Sequence, residues 1–229
     1  LLALESTELR RLLPDIFGRH LLQIGSWLGG NRLLDGAETL HRAVLGTAIG
    51  DQAAAVIDPE HLPLPARSVD ALILPHTIEF SGSPHTVLRE AARVLNDRGR
   101  LFLLGFSPWG WPAWRQRIGL RARSFPAGAR FYGASRVGDW LQLLDFDIDD
   151  VRRFGSGFPW LAPRSSMHPW TPGNLLAPFV ENYLIVARRR VLPINLVGKT
   201  QRAQIKPLVG VTAPAAQRRG LDGDPKPAP

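Results

Sequence analysis

Short apolar runs, each followed by a turn residue, recur through the first half of the chain and limit the folds open to it. They occupy residues 20–25, 43–45, 54–57, 69–74 and 100–106. Continuous apolar runs of this length are typical of strands that are buried on both faces of a parallel sheet. Between the last two runs, residues 84–95 place apolar side chains at helical spacing. Because strand, helix and strand alternate, we predict a doubly wound, mostly parallel Rossmann-like α/β sheet.

The rest of the chain is divided by its proline, glycine and apolar pattern. We predict an N-terminal helix over residues 5–17, bent or ended at Pro14. The later elements are predicted as a turn at 96–99, a helix at 134–144, a strand at 146–154, a loop at 155–178 and a last strand at 180–188. Residues 1–190 are therefore predicted to form one domain. Residues 191–229, rich in Pro, Gly and charge, are predicted to be a mostly disordered tail.

The positive charge of the chain is concentrated at its C-terminal end. The net charge is +8 at pH 7, and the residues from Arg188 onward hold nine Lys and Arg against two Asp, a net of +7. A basic tail binds nucleic acid or an anionic membrane surface in some proteins, and is simply solvated in others. Both interpretations stay open at this point.

The composition excludes several kinds of site. Cysteine is absent, so the chain has no disulfide, thiolate metal site or cysteine nucleophile, and this fits a reducing compartment. The six histidines are scattered without the spacing of a metal site. No apolar stretch reaches the roughly 18 residues of a membrane span. We therefore expect a cytoplasmic protein that binds no metal.

Ligands of open α/β sheets bind beyond the carboxyl ends of the strands. In the predicted sheet those ends carry Gln23, Gly25, Ser26, Trp27, Gly29, Thr47, Asp58, Pro59, Pro75 and His76. A glycine turn lets the backbone approach a ligand closely. A carboxylate such as Asp58 accepts hydrogen bonds from an amine or a hydroxyl, although Asp58-Pro59 taken alone favours an ordinary loop start.

Several of these segments resemble the class I S-adenosylmethionine-dependent methyltransferases. Residues 58–70 resemble the family's D-x-x-x-L-P-F…(S/F)-D stretch, and residues 88–101 resemble its L-x-E-x-x-R-V-L-(K/R)-P-G-G helix and turn. Residues 140–146 are similar to its L-L-x-x-A-G-F step, and residues 183–188 to its closing antiparallel strand. The run from Gly105 to Trp109 resembles the G-F-N-P-W of the methyltransferase type 11 group. The resemblance covers about residues 20–190.

The resemblance implies a cofactor half at residues 20–106 that binds S-adenosylmethionine. The loop after the first strand would hold the cofactor with Gly25 and Gly29, and Asp58 would contact the adenine amine. The chain departs from the family at three places: Gln23 replaces the usual acid, Trp27 replaces the middle glycine, and Thr47 offers no carboxylate for the ribose. The side chain of Trp27 either points away from the cofactor or forms a stacking wall.

The resemblance also implies where the substrate lies. Pro75 and His76 would follow the fourth strand, near the transferred methyl group. Histidine titrates near neutral pH, so His76 is a candidate general base, with Glu79 oriented toward it if the segment is helical. The alternative is that Thr77 and Glu79 only begin a helix and His76 shapes the pocket.

Two segments are expected to cover the substrate. Residues 107–133 hold three tryptophans and five arginines, and residues 155–178 would form the opposite wall. Aromatic and arginine side chains stack on or pair with a flat or anionic molecule, lie at a membrane surface, or pack as an ordinary lid.

Two functions follow from these observations. The first is a methyltransferase of unidentified substrate, with His76 and Glu79 as catalytic residues. The second is a non-catalytic relative that binds nucleic acid or an anionic surface through its Arg-rich segment and basic tail.

Overall fold

The computed structural model describes residues 2–25, 33–48, 53–110, 113, 129–155, 164–167 and 182–190. Within these ranges eight strands form one sheet. In chain order they are β1 (His20–Ile24), β2 (His41–Gly46), β3 (Ala55–Val56), β4 (Val69–Pro75), β5 (Leu95–Phe106), β6 (Phe146–Gly155), β7 (Arg164–Met167) and β8 (Asn182–Arg189).

The sheet has a parallel half and an antiparallel half. Its order is β3-β2-β1-β4-β5-β8-β6-β7. Neighbours from β3 to β5 are parallel, whereas β5 with β8, β8 with β6 and β6 with β7 are antiparallel. The predicted doubly wound, mostly parallel sheet with an antiparallel last strand is therefore confirmed.

The strand β7 corrects part of the predicted loop at 155–178. Residues 164–167 pair with β6 instead of belonging to an unstructured connection. The strand is only four residues long, and its sequence has no alternation of apolar side chains. Backbone pairing with β6 leaves no signal in a hydrophobic pattern.

Four helices lie in the described residues: α1 (Leu2–Arg10), α2 (Thr77–Phe80), α3 (Pro84–Val94) and α4 (Ala134–Leu143). The predicted helix at 5–17 was too long, because α1 ends at Arg10 and Leu13–Asp15 form a separate 3-10 turn. Pro14 explains the break, since its ring clashes with the carbonyl four residues earlier and it has no N–H to donate. The predicted apolar face survives the break, with Leu9, Leu13 and Ile16 all buried.

The start of β5 also differs from its prediction. The expected turn at 96–99 is part of β5. Val69 of β4 pairs with Leu95 and Ala71 pairs with Arg100, so the register between the two strands shifts across residues 96–99. The carboxylate of Asp70 accepts the backbone N–H groups of Arg19 and His20, so it ties β4 to the start of β1. The shift absorbs the turn residues without ending the strand.

The core lies on both faces of the sheet. Successive residues of β4 alternate between them: Leu72 and Leu74 pack with α3 and α4, and Ala71 and Ile73 pack with α1. All four are fully buried. Covered faces explain why β1, β4 and β5 contain continuous apolar runs. The prediction of a buried strand at 54–57 was wrong, because both residues of the edge strand β3 are exposed. No helix in the described ranges is long and apolar enough to cross a membrane.

Candidate functional site

The ends of β1 and β4 form the point where the sheet reverses its winding. From β1 the chain continues to β2 and β3 on one side, and from β4 to β5 on the other. Ligands of doubly wound sheets bind in the crevice outside the strands at this switch point. Here the hydroxyl of Thr77 donates to the carbonyl oxygen of Ile24 at 2.6 Å, so a side chain joins the two strand ends.

The turn after β1 requires glycine at Gly25. Its φ is +91°, a conformation that other residues adopt only with strain. A Cβ at this position would lie 3.1 Å from Oγ1 of Thr77, tighter than ordinary contact. The buried amide of Gln23 donates to the carbonyl oxygen of Gly25 at 2.9 Å, and this hydrogen bond stabilises the turn. The continuation of the loop, with Ser26, Trp27 and Gly29, lies outside the described residues.

Polar side chains continue along this edge past β2 and β3. Thr47 follows β2 and is exposed. Asp58 follows β3; its carboxylate accepts the N–H of Glu60 at 2.9 Å and lies 2.9 Å from Nδ1 of His61. The hydrogen bonds from His61 and from the Glu60 N–H lower the pKa of Asp58. With 59% of its side chain exposed, Asp58 is a charged acceptor facing solvent.

His76 sits in a different environment after β4. It has a left-handed backbone (φ 53°) just before α2, an uncommon conformation for a non-glycine residue. Its Nε2 lies 2.9 Å from Oε1 of Glu5, its Nδ1 lies 3.6 Å from Oε1 of Glu79, and its ring stacks on Phe106 at 3.8 Å. The three ionisable side chains are no more than 1% exposed.

This geometry does not suit the general base expected at His76. Burial by itself lowers the pKa of His76, but the charge of Glu5, the hydrogen bond that His76 donates to Glu5 and the charge of Glu79 outweigh it and raise the pKa to about 9. A base must be neutral at working pH and reach the proton that it removes. His76 is charged and enclosed, and instead links α1, α2 and β4.

Glu79 does lie beside His76 on a short helix, which is the arrangement predicted for a helical segment. Its Oε1 also accepts the N–H of Phe106 at 2.6 Å, so it joins α2 to the end of β5. Sequence reasoning missed Glu5 as the third member. The signal was present, because Glu5, Leu9 and Leu13 are four residues apart on one helical face, and a carboxylate on an apolar face predicts a buried acid.

A cavity of about 190 Å³ lies further along the same edge of the sheet. Its walls come from the residues after β5, the start of α4, β6 and the start of β8. The cavity therefore stands on the opposite side of β4 and β5 from Thr47 and Asp58, next to the switch point.

The comparisons with known proteins agree with this geometry. A family model described as a methyltransferase domain matches residues 36–103. The chain is 32% identical over 214 residues to the uncharacterized protein YafS of Escherichia coli K12. The alignment covers 90% of this chain and 84% of YafS. It belongs to the class I S-adenosylmethionine-dependent methyltransferases.

Two further comparisons place this family member among its relatives. It is 30% identical over 177 residues to the uncharacterized protein Rv2003c of Mycobacterium tuberculosis H37Rv, covering 73% of this chain and 56% of that one. It shares its fold with a Thermotoga maritima protein described as a methyltransferase and possible histamine N-methyltransferase. The TM-score is 0.62 at 18% identity, with 82% of this chain and 89% of that one covered.

S-adenosylmethionine is the cofactor that membership of this family implies. The described residues fit it. Gly25 leaves open the space that a Cβ would fill at the switch point, and Asp58 presents a charged acceptor on the same edge. Pro75 ends β4 as a buried residue, and Pro59 is half-buried beside Asp58.

Several sequence-based expectations stay predictions. Most of the segments 107–133 and 155–178, and the whole tail 191–229, lie outside the described residues. Binding of nucleic acid or of an anionic membrane surface through the tail is untested for that reason. Within the described ranges no group of three metal-ligating side chains comes together.

Proposed function

We propose that the protein transfers the methyl group of S-adenosylmethionine to an acceptor that binds beside β4 and β5. The observation that carries this proposal is the switch point, where a glycine of left-handed conformation faces a threonine bridge between β1 and β4. An anchor for the cofactor, Asp58, lies on the same edge. The chemistry of the bound cofactor is that of a sulfonium, whose methyl group is open to attack by a nucleophile.

The residues along this edge would divide the binding of the cofactor between them. Because Gly25 has no side chain, the backbone there would approach the cofactor closely. Gln23 would stabilise the glycine turn through its hydrogen bond to the Gly25 carbonyl oxygen. Asp58 would accept a hydrogen bond from the adenine amine, and Thr47 would face the ribose. Ser26, Trp27, Gly29, Pro59 and Pro75 complete the set predicted from the sequence.

His76 and Glu79 would act as positioning residues. His76 forms ion pairs with Glu5 and Glu79, and Glu79 accepts the N–H of Phe106, so the start of α2 is held against the ends of β4 and β5. Methyl transfer depends on placing the nucleophile in line with the sulfonium, and a well-oriented arrangement supplies much of the rate acceleration without a base. A rigid, buried ion network below the site suits that requirement.

Calorimetric titration with S-adenosylhomocysteine, the demethylated product, tests the proposal. We expect saturable binding at one site per chain. Gly25→Ala should weaken the binding at least about tenfold, because its Cβ meets Thr77 and its φ is strained. Gly36→Ala is the matched control: Gly36 has the same φ of +91°, but a Cβ there would lie 3.6 Å from the Arg10 side chain, in ordinary contact.

Gly36→Ala should therefore leave the affinity unchanged while lowering stability. Absence of binding at about millimolar ligand, from wild-type protein that unfolds cooperatively, would overturn the proposal. The affinity of Trp27→Gly for S-adenosylhomocysteine, measured in the same way, shows what the Trp27 side chain does. A gain in affinity means that Trp27 narrows the site, and a loss means that it forms part of the wall.

A further inference from the structure

The buried ion network of Glu5, His76 and Glu79 holds more negative than positive charge. Nε2 of His76 lies 2.9 Å from Oε1 of Glu5, and Nδ1 lies 3.6 Å from Oε1 of Glu79. His76 is charged at neutral pH, as its raised pKa indicates. Two carboxylates and one imidazolium leave one negative charge in excess. Among the described residues, neither Glu5 nor Glu79 forms an ion pair with any other cation.

Each of the two carboxylates also has one oxygen that the described part of the protein leaves without a hydrogen bond. Oε1 of Glu5 faces His76 and Oε1 of Glu79 accepts the N–H of Phe106, but Oε2 of both glutamates is buried and without a partner. The glutamates are 0% and 1% exposed. Buried charges and polar atoms in folded proteins are normally paired. An uncompensated negative charge at this place therefore points to a positive group in a ligand nearby.

The ion network lies next to the switch point. His76 is followed by Thr77, whose hydroxyl donates to the carbonyl oxygen of Ile24 at 2.6 Å. A Cβ on Gly25 would lie 3.1 Å from that hydroxyl and 3.8 Å from the carbonyl oxygen of Pro75. The residues before and after His76 thus border the glycine turn. One residue separates the ion network from the place where we propose that the cofactor binds.

Buried charges act on a ligand without touching it. At the effective dielectric constant of a protein site, about 20, two charges interact about four times more strongly than in water. Salt screens buried charges much less than exposed ones. The carboxylates of Glu5 and Glu79 therefore need no opening onto the site to attract a cation there. S-adenosylmethionine carries a positive sulfonium, whereas the sulfur of S-adenosylhomocysteine, the demethylated product, is neutral.

We propose that the ion network makes the site select the positively charged S-adenosylmethionine over its neutral product. This inference rests on the proposed function, because it requires the cofactor to bind at the switch point. Glu5 and Glu79 act through their charge, and His76 holds the two carboxylates in place. The selection has a functional consequence, since a site that favours the charged form releases the product readily and is weakly inhibited by it.

Calorimetric titration of the wild-type protein with each ligand measures the selection. We expect S-adenosylmethionine to bind at least about fivefold more tightly than S-adenosylhomocysteine, because the two molecules differ by one methyl group and one charge at the sulfur.

Two variants remove the excess charge at nearly unchanged side-chain volume. In Glu79→Gln and in Glu5→Gln, we expect the ratio of the two affinities to fall at least about fivefold, even if both ligands bind more weakly. The amide oxygen introduced by Glu79→Gln can still accept the N–H of Phe106. The two glutamates lie on different helices, α1 and α2. Urea unfolding identifies which variants are folded, and the wild-type measurement needs neither of them.

Two further variants separate the charge from the structural role of the ion network. Thr77→Val removes the hydrogen bond to Ile24 beside His76 without changing a charge. It should weaken both ligands equally and leave the ratio of their affinities unchanged. Asp97→Asn removes an exposed charge that pairs with Arg67, and it should also leave the ratio unchanged.

Two results would overturn the inference and leave the proposed function standing. One is equal or tighter binding of S-adenosylhomocysteine to the wild-type protein. The other is an unchanged ratio of affinities in a folded Glu5→Gln or Glu79→Gln variant, which would reduce the ion network to a structural role. Absence of binding of both ligands to folded wild-type protein would instead contradict the proposed function, and this inference with it.

Discussion

The two sides of the switch point are built in opposite ways. On the β1–β3 side, Thr47 and Asp58 face solvent, and the partners of Asp58 are two and three residues away in the sequence. On the β4, β5 and β8 side the polar groups are buried, and Glu5 and His76, which form an ion pair, are 71 residues apart. The open side is therefore built from residues that are close in sequence, whereas the enclosed side is assembled from distant segments.

If the enclosed side depends on its long-range ion pairs, removing one partner should have the largest effect on the molecule. Glu5→Gln leaves His76 with a single acid, and we expect the free energy of unfolding to fall by about 3 kcal/mol at neutral pH. Urea unfolding measures this. Asp35→Asn, which removes the exposed partner of Arg10, should cost less than about 1 kcal/mol. Equal losses of unfolding free energy in the two variants would show that the buried ion pair stabilises the protein no more than an exposed one.

The same network predicts how stability depends on pH. The pKa of His76 is raised from 6.5 to about 9 in the folded protein, so its contribution is complete below about pH 6.5 and is lost as pH rises through about 9. We expect the free energy of unfolding to drop by about 2 kcal/mol between pH 7 and pH 9. In Glu5→Gln this slope should flatten. An unchanged slope in that variant would assign the titration to another group.

Gly105→Ala changes the packing of Tyr183 on the enclosed side and leaves Thr47 and Asp58 on the open side unchanged. The added Cβ displaces the phenol, and overpacking of this kind costs about 1–3 kcal/mol of stability. The affinity for S-adenosylhomocysteine should persist. Gly138→Ala in α4 is the control, because its Cβ would meet only the flexible end of Ile148 and alanine favours a helix. Loss of S-adenosylhomocysteine binding in Gly105→Ala would mean that the two sides are one unit.

The smallest effect is expected on the open side. Asp58→Asn keeps the shape of an acceptor but removes its charge, and we expect S-adenosylhomocysteine affinity to fall about threefold, since only one hydrogen bond weakens. Calorimetry measures the affinity, with Asp97→Asn, a surface acid that pairs with Arg67, as the control. A larger loss in the control than in Asp58→Asn would remove Asp58 from the cofactor site.

The same division explains how much the sequence could predict. Strands β1 to β5 were found because each is a continuous apolar run, and Gly25 and Asp58 were found because they directly follow such runs. The pairing of Glu5 with His76 depends on how α1 packs on the sheet, and no local pattern contains that. Tyr183 was recognised only as a strand residue, since the packing of its ring over Gly105 follows from the antiparallel pairing of β5 and β8.

Two local errors have local causes. Helical spacing continued past Arg10, but Pro14 stopped the helix earlier than its apolar face suggested. The edge strand β7 has no apolar pattern to reveal it. Sequence reasoning therefore predicted where the carboxyl ends of the parallel strands lie, and it could not predict which buried polar groups lie on the opposite side of the switch point.

A crystal structure with S-adenosylhomocysteine bound tests the central claim most directly. The account predicts the ligand across the carboxyl ends of β1, β2 and β3, with the adenine amine within hydrogen-bond distance of Asp58 and the sulfur directed toward Thr77 and the cavity beside β5. A ligand bound elsewhere on the sheet, or an unoccupied switch point at saturating concentration, would contradict it.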